Sequence, residues 1–222
     1  MRLLQYADSA LPIGSFSFSG GVESAAAAGL LATEEELEGY LHQSLRTAAL
    51  TDGVAALHAY RAALVGNMEA VVEADQRLYC TKLWAESRAM SVRLGGRLLS
   101  LARNMLTSSL LDKFSETIAK GDCRGTQAVV MALIFAIEEV DEQSLWAALM
   151  SGVANMVLGA SLRTTRLSHL ATQAILHRTA PLIEEQYATV LEMRLEDMQS
   201  FAPMMEIVAA LHEQGRERLF MN

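Results

Sequence analysis

The chain has 222 residues, enough for one large domain, and 51% of them are hydrophobic, so a sizeable core is within reach. A net charge of −8 with no Lys/Arg cluster excludes a nucleic-acid reader. Cys80 and Cys123 have neither metal-type nor disulfide-framework spacing, and the N-terminus turns polar too quickly for a signal peptide; both point to a reducing cytoplasm.

In chain order, the first feature is SALPIGSFSFSGGVES, residues 9–24, a stretch poor in helix formers ahead of a chain rich in Ala, Leu, Met, Glu and Arg. Gly14, Gly20 and Gly21 permit backbone conformations and close approaches that side chains forbid. Pro12 and Gly14 suit a turn. Phe16 and Phe18 point opposite ways if the chain is extended there, so that one anchors the loop while the other meets a partner.

Thr33 and Glu36 then form a capping box, and Leu37, Tyr40, Leu41, Leu45 and Ala48 mark one apolar helical face. Asp52 is expected to cap a second helix through about Val65, and a third begins near Met68. Residues 84–106 continue helical with an irregularity expected at Gly95-Gly96, and Arg88, Ser91 and Gly95 share a face. A shorter helix covers Ser108 to Ala119. Arg124, in KGDCRGTQ beyond it, is the best exposed arginine.

AVVMALIFAI, 128–137, is read as helix because no strand exists to pair with it. Asp141 caps a central helix that is uncharged from Leu145 to Leu162, the lower limit of length for a membrane span. It reads instead as a buried core helix, with Ala148, Gly152, Asn155 and Gly159 letting a neighbouring helix approach closely. Arg163 and Arg166 complement its negative end. Pro181 is expected to start or kink the next helix, which runs to about Gln199. From about residue 201 apolar residues (Met204, Met205, Ile207, Val208, Leu211, Leu219, Phe220) mix with charges around Gly215, the pattern of a flexible tail that orders on a partner. The fold expected is all-α, a single-domain helical bundle over residues 1–222.

No catalytic, cofactor or metal constellation emerges. There is no phosphate-binding G-x-x-x-x-G-K-[ST] and no H-E-x-x-H, and the histidines at 42, 58, 169, 177 and 212 are scattered. Ser19, in SFSGG, resembles a nucleophile elbow without its first glycine, but it lacks a preceding strand.

Four stretches carry a resemblance. Asp8, Ser9, Leu11, Pro12, Ile13, Gly14 and Phe16, followed by Ser19, Gly20, Gly21 and Glu23, resemble the opening of the urease accessory protein UreF family. Arg88, Ser91, Gly95, Leu98 and Leu99 are similar to its second signature, and Arg163, Leu167 and Gln173 to its third. Pro203, Glu206, Ile207, His212, Arg218, Leu219 and Phe220 match its tail. Ser17-Phe18 and the run from Arg124 to Val129 stand where many members carry histidine.

The resemblance implies an all-helical, non-enzymatic protein of urease maturation, without a cofactor of its own. Members bind UreD (also called UreH), recruit the GTPase UreG and serve nickel delivery to apo-urease; they tend to homodimerise. With the residues above, it points to partner-binding roles for Phe16, Phe18, Arg124, Met204, Met205, Ile207, Leu219 and Phe220. Control of the GTPase by holding one conformation is favoured over an inserted arginine. The competing readings are a helical small-molecule or metal-handling enzyme with a pocket in the bundle, and a membrane-associated protein resting on residues 145–162.

Overall fold

A computed structural model describes residues 2–8, 10–200, 202 and 220. The tail residues Met204, Met205, Ile207 and Leu219, and the expected flexibility of that segment, lie outside the described residues. Within them the secondary structure is helical, with no strand.

Two short helices, α1 (Arg2–Ala7) and α2 (Val22–Ala27), flank the glycine-rich segment. Then come α3 (Glu34–Ala48), α4 (Val54–Leu64), α5 (Met68–Thr81), α6 (Ala85–Met105) and α7 (Ser109–Lys120). The last three are α8 (Gln127–Ile137), α9 (Glu142–Thr164) and α10 (His169–Val190). The caps follow local chemistry. The Thr33–Glu36 box is formed, with Glu36 Oε2 accepting from the Thr33 amide at 2.9 Å. Asp141 Oδ1 accepts from Ser144 N at 2.8 Å and starts α9.

Three expectations are corrected. Asp52 does not begin a helix: residues Ala49–Gly53 form a π segment that joins α3 to α4 without a break in helical backbone. Its carboxylate instead takes Lys82 Nζ at 2.6 Å and the Thr51 hydroxyl at 3.0 Å. The wider π turn tolerates Gly53 against the Trp146 ring, where a Cβ would lie 2.5 Å from Cζ3. Gly95-Gly96 causes no irregularity, since α6 runs through it. Pro181 does not start a helix, the first of the two roles expected of it. Ser168 caps α10 through Ala171 N at 3.1 Å, and the proline lies in the helix interior. Long-range contacts hold α10 near it: Arg178 grips Glu38 of α3 at 2.6 Å, and Trp146 Nε1 donates to Ile183 O at 2.9 Å. The helix stops at Val190, well short of Gln199. There His58 Nε2 meets Met193 O, and Arg61, paired with Glu142, donates to Leu191 O.

The core has two centres. α8, buried from Ala128 to Ala136, lies between α4 and α6. α9 packs against α1, α2, α3 and α10. Although α9 is long and apolar enough to cross a membrane, 56% of its most apolar window is buried inside the protein, as in a core helix.

Candidate interaction site

The glycine-rich segment is held by its carbonyls. Arg97 of α6 donates from Nη1 to Ile13 O at 2.9 Å, Tyr40 of α3 to Gly20 O at 2.7 Å, and Arg163 of α9 from Nη2 to Phe16 O at 3.0 Å. Three helices therefore grip one loop by its backbone, which explains the glycines. Gly14 and Gly21 have φ of +82° and +84°, and a Cβ would strike the Arg97 guanidinium at the first and the Tyr40 hydroxyl at the second. Burial pushes the Tyr40 phenol above its ordinary range, so it remains a donor.

Between these anchors, Ser15–Ser17 makes a single 3-10 turn and Phe18 returns to extended backbone. The turn leaves Phe16 69% exposed, while Phe18 is 4% exposed and packed in the core. Ser19 is fully buried. Phe220 is also buried; its ring lies 4.2 Å from the Arg163 guanidinium carbon and its amide donates to Glu23 at 3.2 Å. Arg163 thus touches Phe16 by its backbone and Phe220 by its ring.

Arg124 stands elsewhere, in the loop between α7 and α8. The buried Asp75 carboxylate organises that loop. It accepts from Arg124 N (2.6 Å), Gly125 N (3.0 Å), Thr126 N (2.6 Å) and Thr126 Oγ1 (2.6 Å). Gly95 is required beneath it, because a Cβ there would overlap the Gly125 carbonyl and lie 2.8 Å from Thr126 C. The Arg124 side chain is exposed, with its guanidinium carbon 5.3 Å from the Tyr79 ring centre. Arg88 donates to Lys82 O and Leu83 O at 2.6 and 2.8 Å, closing the end of α5. In the same loop Cys123 is buried and its thiol is pushed up to about 12, by burial first and then by Asp75.

A cleft of about 490 Å³ runs between the glycine-rich loop, α6 and α9. Ala148, Gly152, Asn155 and Gly159 line it. The expected close helix neighbour is absent from that face among the described residues: Gly152 and Asn155 are exposed, and a Cβ on Gly152 or Gly159 would meet open space.

Reading the sequence missed Asp75, Arg97 and Tyr40 as organisers of the loops. Asp75 had a signal: it falls with Val71, Ala74 and Leu78 on the buried stripe of α5, where a charge needs specific partners. Phe16 and Arg124, both singled out, sit on separate surfaces. Among the described residues no three His, Cys, Asp or Glu side chains converge to hold a metal ion.

A family model described as UreF matches residues 31–180. The chain is 39% identical over 222 residues to urease accessory protein UreF 2 of Brucella canis, covering 100% of this chain and 91% of that one. It is 39% identical to UreF 1 of Brucella melitensis, with 92% of that protein covered, and 32% identical over 223 residues to UreF of Yersinia enterocolitica, with 97% covered.

Proposed function

The chain belongs to the UreF family of urease accessory proteins, a non-catalytic family of urease maturation, and on that premise we propose that it acts as a cytoplasmic scaffold bridging UreD and the GTPase UreG during nickel delivery to apo-urease. It does so as one domain and as a homodimer within the complex. The observation that carries the reading is the presentation of Phe16: a 69% exposed aromatic on a loop whose carbonyls are fixed by Arg97, Tyr40 and Arg163. An exposed aromatic on a pre-ordered loop loses little freedom on docking, which is what an interface anchor requires. Phe18 and Phe220 support the loop and its surroundings from within rather than meeting a partner directly.

The scaffold influences GTP hydrolysis by favouring one conformation of UreG through differential affinity. Arg124 is exposed, but Asp75 fixes its backbone and its guanidinium lies over Tyr79, so it is not a free finger. The test is stimulated GTP hydrolysis in the complex with UreD and UreG. Phe16→Ala should weaken assembly about tenfold or more, while Arg124→Ala changes turnover less than about threefold. A loss near 10³-fold with Arg124→Ala and intact binding, the size of an arginine-finger effect, would replace holding by transition-state stabilisation.

A further inference from the structure

We propose that the cleft along α9 is the docking groove for an apolar helix of a partner protein, running antiparallel to α9 with its acidic first turn beside Arg166 at the C-terminal end of α9. The inference rests on the scaffold reading and names a surface for it.

α9 is the longest helix among the described residues and is apolar enough to pass for a membrane span, yet Gly152 and Asn155 are exposed. Gly152 and Gly159 have open space where a side chain would begin, so another backbone can approach closely. The lining runs from Ala148 to Arg163, about 22 Å at the helical rise, the length of a four-turn helix. Leu149, Val153 and Met156 of α9, Leu94 of α6 and the exposed Phe16 give it apolar walls, with Asp8, Asp52 and Lys82 also in the lining.

Two further observations indicate an occupant. Ser91, 3% exposed and among the lining residues, has a hydroxyl with no hydrogen-bond partner among the described residues, an unusual cost for a buried group. The second is the pair of arginines at one end. Arg163 gives its donors to the carbonyls of Gly159 and Phe16 and its face to the Phe220 ring, forming no ion pair among the described residues, while Arg166 beyond it is exposed and likewise forms none among them. Two cations at the C-terminal end of α9 complement the acidic first turn of a helix that starts there.

Purified UreD and UreG, separately and together, are the probes for capture by the full chain. The Gly152→Leu/Gly159→Leu double variant puts side chains into the groove at two positions where a new Cβ meets no atom, and the helix gains by losing glycine, so its thermal midpoint should match or exceed wild type. Gly39→Leu, another helical glycine facing open space, is the control. The expected result is capture of one probe reduced at least tenfold by the double variant, about threefold by Arg166→Glu, and less than twofold by Gly39→Leu. Unchanged capture by the double variant and by Arg166→Glu would overturn the groove while leaving the scaffold reading intact. So would an effect confined to self-association of the isolated chain. Failure of the wild-type chain to capture either probe would overturn the scaffold reading itself.

Discussion

Asp75 shows how a single carboxylate sets a surface. Its two oxygens satisfy three backbone amides and one hydroxyl of the Arg124–Thr126 turn, and no solvent competes for them. Removing it leaves several buried donors unpaired at once, a cost on the order of 3 kcal/mol. Asp75→Ala should therefore lower the urea midpoint by an amount equivalent to about 3 kcal/mol, and a change under about 1 kcal/mol would show that the turn holds without it. Cys123 beside it gives a pH-dependent companion. Its thiol, ordinarily near 9.0, is pushed up to about 12 by burial and by the Asp75 carboxylate, so folding favours the protonated form. That contribution is fully present below the ordinary thiol value and is lost as pH rises from about 9 through about 12. At neutral pH a thiol reagent should modify the exposed Cys80 and spare Cys123, giving one reactive thiol in native protein and two in urea. Two fast thiols in the native state would contradict the burial of Cys123.

At the scale of elements, legibility followed the reach of the forces. Helices with local signals were readable: the Thr33 and Asp141 caps start α3 and α9, and the all-apolar run of α8 is buried along its length. The errors came where tertiary contacts overruled local grammar. Asp52 has the chemistry of a cap, but Lys82 and Thr51 occupy its carboxylate and the helix passes through as a π segment. Pro181 usually marks a boundary, yet the contacts of Arg178 and Trp146 carry α10 across it. The small residues of α9 were read as the seat of a close neighbouring helix, yet no element of the described chain takes that place. The Arg88–Ser91–Gly95 face was likewise visible as a pattern. Its reason, the Gly125 carbonyl lying against Gly95, depends on a loop thirty residues away.

For the whole molecule, the geometry describes a protein whose specialised features are surfaces rather than reacting groups. Arg97, Tyr40 and Arg163 are spent on loop carbonyls, Asp75 on backbone amides, and Arg88 on the end of a helix. Phe16, the α9 groove and Arg124 face outward and are suited to assembly. The most direct test is activation of apo-urease by nickel and GTP in a mixture of purified UreD and UreG, with and without this chain. The account predicts that urease activity appears on adding the chain, which itself turns over neither urea nor GTP. Full activation in its absence, or GTP hydrolysis by the chain alone, would contradict it.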